Sequence, residues 1–179
     1  MLLRTAIDFS HDFNTLEFMD LIIRRARKED ASKIISAHRR SIREVCSRDY
    51  SPEQIAVWSG RDFQEARWHQ TMDLDIVWVI ADSVENIFGF GHLQIKGDCA
   101  ELMGLYFVPE AIGRGFGKQM IGLMLKECES KAVQSVSLTG TKTAKKFYEA
   151  VGFQQVGSMK EVPIGGQPIE VFDMKMQLN

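Results

Sequence analysis

The chain has 179 residues, 45% of them apolar and 26% charged, which suits one folded domain with a sizeable core and excludes a disordered or repetitive polypeptide. Its formal charge of −2 offers no overall attraction to nucleic acid or to an anionic membrane. The basic clusters Arg24-Arg25, Arg39-Arg40 and Lys145-Lys146 are too short to act as binding arms, so neither partner is expected.

Residues 1–20 form an N-terminal extension ahead of a single domain over 21–179. Arg4, Asp8, His11, Asp12 and Glu17 break any apolar run before it reaches the roughly 7 to 15 residues of a signal core. The extension is either an extra packed element using Phe9, Phe13, Leu16 and Phe18 or a loosely held arm. No later segment approaches the ~20 apolar residues of a membrane span, so a cytoplasmic location is expected.

Leu21 to Arg27 is a short strand-like run, Lys28-Glu29-Asp30 a turn and cap, and Ile34, Ile35, Ala37, Ile42 and Val45 follow helical spacing. Ser51-Pro52-Glu53-Gln54 is a capping box with proline at the first helical position, opening a helix that runs to about Gly60. A short helix follows around Phe63 to Met72. Ile76 to Ala81, Ile87 to Ile95 and Ala100 to Val108 then read as an antiparallel meander joined by polar hairpins.

From Leu105 an apolar strand runs into Gly113-Arg114-Gly115-Phe116-Gly117-Lys118 and straight on into a helix with Ile121, Met124, Leu125 and Cys128 along one stripe. Glycines remove Cβ atoms where backbone must approach a ligand, and the N–H groups of a helix start attract an anion, so this is a phosphate cradle. A P-loop would need Ser or Thr after its lysine, where this chain has Gln119. A dinucleotide fingerprint would need glycine at position 118 and an acidic residue at the tip of the next strand, which ends in Leu138-Thr139-Gly140. That strand, Ser135 to Leu138, is parallel to its predecessor. A helix from Lys142 to Val151 and two late strands, Phe153 to Met159 and Glu170 to Met176, complete the chain.

Three cysteines, Cys46, Cys99 and Cys128, lack the paired spacing of a zinc or redox site, and no metal is expected. Cys128 on an apolar stripe and Cys99 at a strand start read as buried; Cys46 stays undecided. His11, His38 and His69 show no ligating pattern.

Ile112 to Gly117 resembles the acyl-CoA loop of the GNAT superfamily of N-acyltransferases, Gln/Arg-x-x-Gly-x-Gly/Ala, with Ile112 departing from its first position. Downstream, Thr141 to Phe153 resembles that family's Asn-x-x-Ala-x-x-Phe-Tyr-x-x-x-Gly-Phe signature, with Thr141 in place of Asn. The resemblance covers roughly Leu21 to Met176. It implies a single α/β domain: a mixed, mostly antiparallel sheet of six to seven strands with a splayed central parallel pair and helices on both faces.

The resemblance also implies acetyl-CoA as cosubstrate and an amine acceptor. Its pantetheine arm would pair with the backbone of Leu105 and Phe107 and run past Val108. Gly113, Arg114, Gly115, Phe116, Gly117 and Lys118 would hold the diphosphate, and Thr141, Ala144 and Phe147 the other wall. Tyr148 would be the general acid for the departing thiolate, and the Phe107 N–H would meet the oxyanion. Glu101 matches the general-base glutamate of the histone-acetylating branch, although a solvated strand glutamate is an equal reading. His92, beside Phe90 and Gln94 on one strand face, is either an alternative base or a hydrogen-bonded sheet residue. Acceptor specificity would come from Ser41 to Trp58 and the Glu161 to Glu170 hairpin, with Arg48, Tyr50 and Trp58 as candidates and Glu44, Glu53 and Glu65 mildly suited to a cation. A homodimer through the late strands is implied too. Two other readings stay open: an acyl-CoA-binding sensor without turnover, and a structural domain with no CoA affinity.

Overall fold

The computed structural model describes residues 20–178; the extension expected over residues 1–20 lies outside these apart from Asp20. In chain order the elements are β1 (Ile22–Arg25), α1 (Ala31–Glu44), α2 (Pro52–Ser59), α3 (Glu65–Leu74), β2 (Ile76–Ala81), β3 (Ile87–Lys96) and β4 (Cys99–Phe107). They continue as α4 (Phe116–Ser130), β5 (Ser135–Thr141), α5 (Lys145–Ala150), β6 (Gln154–Gln155), β7 (Lys160–Ile164) and β8 (Gln167–Gln177). The strands form one sheet in the order β1-β2-β3-β4-β5-β8-β6, with β7 also on β8, and β4–β5 is its parallel pair.

The sheet has eight strands rather than six to seven. The last stretch splits into a two-residue strand and a hairpin that turns at Gly165 and Gly166, whose φ values of 56° and 82° suit the tight two-residue turns of hairpins. Helix α5 starts three residues later than expected, because Thr141 to Ala144 forms a turn closed by the Ala144 N–H on the Thr141 carbonyl at 3.1 Å.

Adjacent residues of a strand point to opposite faces, and β3 shows which helix covers which. The Phe90 ring packs against His38 of α1 and Trp68 of α3. A Cβ added at Gly91 would fall 2.4 Å from Met124 Cε and 2.6 Å from Met120 Sδ of α4. Helices α1 and α3 therefore cover one face and α4 the other. Sheet residues Val77, Val79, Ile80, Phe90 and Leu93 are buried between these layers, which is why β2 reads as an unbroken apolar run instead of alternating. The stripe Met120, Ile121, Met124 and Cys128 seals the α4 side, each such side chain contributing about 1.5–3 kcal/mol on burial.

A second cluster, Ile42, Cys46, Tyr50, Ile55, Trp58, Ile169 and Val171, ties α2 to β8. The Ser51 capping box is present: the Gln54 N–H donates to Ser51 Oγ, and the Ser51 N–H donates to Gln54 Oε1 at 2.8 Å. Cys99 is exposed, not buried, because it lies where β4 leaves the β3–β4 hairpin beside Asp98; Cys46 and Cys128 are buried. No helix among the described residues is long and apolar enough to cross a membrane.

Candidate active site

The parallel β4–β5 ladder runs only from Cys99↔Ser135 to Leu102↔Leu138. Its end has a cause on the other edge of β4, where Leu93 faces Leu102 but His92 faces Gly104, leaving Met103 as an extra residue. A bulge of this kind bends and twists its strand, here away from β5, which continues along β8 as far as Thr141. A gap opens between Met103–Phe107 and Thr139–Thr141. The Val108 N–H donates to the Phe88 carbonyl at 2.9 Å while Phe107 stands opposite Gly89. That phase turns the N–H and C=O groups of Leu105 and Phe107 away from β3 and into the gap. An extended ligand can pair there as an added strand does.

Beyond β4 the chain makes a 3₁₀ turn, Pro109–Ala111, and enters α4 through the glycine loop. Gly113 and Gly115 have φ values of 79° and 83°, and Gly115 caps the helix in the left-handed region. The Gln119 N–H bonds the Gly115 carbonyl at 3.1 Å, closing the first turn. The N–H groups of Phe116, Gly117 and Lys118 thus lie in the turn where a helix leaves its donors free for an anion. The third glycine does something other than make room for a ligand: a Cβ at Gly117 would sit 2.9 Å from the Phe147 ring. It lets the start of α4 close onto α5.

Tyr148 lies on α5 with its ring against β5, where a Cβ at Gly140 would meet it at 3.1 Å. Phe153 stands edge-on to it, with centroids 5.8 Å apart. Burial pushes the phenol well above its ordinary value, and it therefore stays protonated through the neutral range.

These parts enclose a cleft of about 610 Å³ lined by residues from both faces of the sheet. Leu105, Phe107, Gly113, Gly115, Phe116, Gly117, Lys118, Thr141, Ala144, Phe147 and Tyr148 all line it. Three expected residues do not. Val108 is fully buried and its N–H is committed to β3. The Arg114 guanidinium lies over the Phe116 ring, 5.4 Å from its centroid. Glu101 is exposed in the paired part of β4, opposite Gln94 and Ser137, short of the gap.

On the other face the wall comes from Ser41, Val45, Cys46 and Arg48, with Tyr106 and Thr143 opposite. Burial pushes the Cys46 thiol up to about 11, so it stays protonated. Tyr50 and Trp58 are core residues, edge-on at 5.5 Å. The Tyr50 hydroxyl donates to the Glu170 carbonyl at 2.6 Å and accepts from the Lys142 N–H at 2.8 Å. The β7–β8 hairpin does not line the cleft; its turn packs on α2, where a Cβ at Gly165 would meet Val57 at 2.8 Å. His92 bonds Asp75 at 2.7 Å, away from the lining, and is the hydrogen-bonded sheet residue of the two readings. Sequence reasoning missed Gly104, Tyr106 and Gly140. Of these Gly104 carried a signal, a lone glycine inside the strand read over Ala100 to Val108, which marks close approach by another group, and Gly140 stood just past the strand read over Ser135 to Leu138.

The model of the acetyltransferase (GNAT) domain matches residues 46–178, most of the chain. The chain belongs to the GNAT acetyltransferase family. Among GNAT relatives it is 33% identical to the [ribosomal protein bS18]-alanine N-acetyltransferase of Haemophilus influenzae, over 69% of this chain and 88% of that one. It is 28% identical to an uncharacterized N-acetyltransferase, YafP, of Escherichia coli, over 75% and 81%. The PaiA N-acetyltransferase of Thermoplasma acidophilum, solved in complex with coenzyme A, has the same GNAT fold, with a TM-score of 0.73 at 22% identity over 89% of this chain and all of that one. By class the chain is a GNAT N-acetyltransferase.

Proposed function

We propose that this chain moves an acetyl group from acetyl-CoA to a primary amine by direct attack within a ternary complex. The observation that carries the reading is a cleft lined from both faces of the sheet, with a helix start on one side and a protonated phenol in its wall. Cosubstrate on the α4 side and acceptor on the α1 side occupy it together, so the enzyme needs no covalent intermediate.

The free amides of Phe116 to Lys118 hold the diphosphate, and the backbone of Leu105 and Phe107 pairs with the pantetheine. Gly115 fixes the turn and Gly117 closes α4 onto Phe147, and with Ile112 at the motif's first position the diphosphate is held by backbone amides without a Gln or Arg side chain. The neutral amine attacks the thioester carbonyl carbon, the C–S bond breaks, and Tyr148 gives its proton to the departing thiolate. The Phe107 N–H supports the carbonyl oxygen as charge builds on it. Glu101, outside the cleft, would act only through water; the amine loses its proton mainly to solvent.

The test is thiol release from acetyl-CoA across a panel of amines, with calorimetry of coenzyme A alongside. Release that depends on both acetyl-CoA and amine is expected. Coenzyme A that binds without turnover on any amine would replace this reading with a non-catalytic acyl-CoA-binding module. A homodimer and cytoplasmic residence belong to the same reading, tested by sedimentation and by cell fractionation.

A further inference from the structure

The two sides of the cleft are built from different chemistry. On the α4 face the lining is helix-start backbone and Lys118, suited to phosphates. On the α1 face the charged lining residue is Arg48, in the 3₁₀ turn Cys46–Arg48 that follows α1. Arg48 is exposed, and its guanidinium has no hydrogen bond or ion pair among the described residues. Glu44, Glu110 and Glu170 are already paired. Arg40 holds Glu44 through two bonds of 3.0 Å and Glu110 through one of 2.8 Å, and Lys142 holds Glu170 at 3.0 Å. Asp49, next in the chain, does not line the cleft, although its charge reaches Cys46 in the wall. Neither Glu44, Glu53 nor Glu65 lines it, contrary to the expectation of a surface suited to a cation.

We propose that the acceptor is an amine carrying a carboxylate close to its nitrogen, as an α-amino acid does, and that Arg48 docks the carboxylate. The proposal rests on the N-acetyltransferase reading of the cleft. A guanidinium matches a carboxylate with two parallel donors, which fixes orientation as well as position. An unpaired cation also disfavours a nearby ammonium. It therefore helps to supply the neutral nucleophile in a cleft whose lining, among the described residues, holds no carboxylate or imidazole. A polyamine would bring several positive charges to the same side.

Thiol release from acetyl-CoA is measured with α-amino acids, their primary amides, their decarboxylated amines and spermidine, for the native protein, Arg48→Gln and Arg48→Lys. The acids should exceed their own amides by tenfold or more in kcat/KM. Arg48→Gln should erase that preference mainly through KM, Arg48→Lys should keep part of it, and coenzyme A affinity by calorimetry should hold in both. Amides or spermidine reacting as well as the acids, or a preference surviving in Arg48→Gln, would overturn the proposal. Docking is also read without turnover, by titrating N-acetyl amino acids and their amides into the protein saturated with coenzyme A. Heat with the acid that disappears with the amide and in Arg48→Gln supports the dock; no heat with the acid overturns it. Acid binding without thiol release from any amine would count against the acetyltransferase reading and leave the anion dock standing.

Discussion

Tyr148 combines two demands that pull in the same direction. A packed aromatic needs burial, and burial raises the pKa of a phenol; the acid that protonates a thiolate must itself still hold a proton. Because the native value lies above the ordinary ~10, the protonated form persists to higher pH. The pH profile of kcat/KM should then rise with the amine's own deprotonation and show no fall below pH ~10; a descending limb near pH 8 would contradict the assignment. Tyr148→Phe should lower kcat about 100-fold or more while coenzyme A affinity by calorimetry stays within about twofold. His38 is the opposite kind of residue. Its ring stands between Phe63, Phe90 and Tyr106 with centroids 4.6, 5.4 and 4.1 Å away, and both nitrogens lack hydrogen-bond partners. Burial, then Arg61 and Arg39, push it down to about 3. The unfolded chain, with an ordinary histidine near ~6.5, binds a proton that the native state refuses, so stability falls as pH drops below that value. Between pH 7 and pH 5 the loss is about 2 kcal/mol. His38→Phe should lose fewer degrees of melting temperature than the native protein over the same interval, by about 4–8 °C.

At the scale of elements, a bulge and a turn make the site. The extra residue at Met103 ends the β4–β5 ladder and turns a sheet into a cleft. The glycine loop then aims the start of α4 at that cleft's mouth. Gly113 and Gly115 serve through positive φ, with open space at the missing Cβ of Gly113 and only an ordinary 3.7 Å contact with Gln119 Nε2 at that of Gly115, whereas Gly117 serves through contact with Phe147. Gly115→Ala should therefore act on the loop's conformation. A Cβ in the left-handed region costs about 1–2 kcal/mol, which should weaken coenzyme A by about tenfold, while the helix content of the protein stays near native by circular dichroism. A variant that binds as tightly as the native protein would mean that the cap does not set the anion site.

Across the whole molecule, α1 and α4 on opposite faces of one sheet both contribute walls to the cleft, and the Tyr50 hydroxyl joins the second core cluster to the turn that leads into α5. Coenzyme A at about 100 times its dissociation constant should stabilise this assembly by about 2.7 kcal/mol, raising its melting temperature by about 5–10 °C; no shift would oppose the cofactor reading. The glycine loop, the α4 stripe, the Ser51 capping box and the Thr141 to Phe153 motif could be read from residues alone, because each is local: a backbone conformation, a periodicity or a cap is set by a few neighbours in the chain. The order of elements and the family followed from them. What only the tertiary structure decided depends on residues far apart in sequence. It assigned Gly117 to Phe147, Gly140 to Tyr148 and His92 to Asp75, it kept Glu101 outside the cleft, and it left Arg48 in the cleft lining with no hydrogen bond or ion pair among the described residues. A one-residue slip in strand register moves a side chain to the other face, and no local pattern around Met103 announces it.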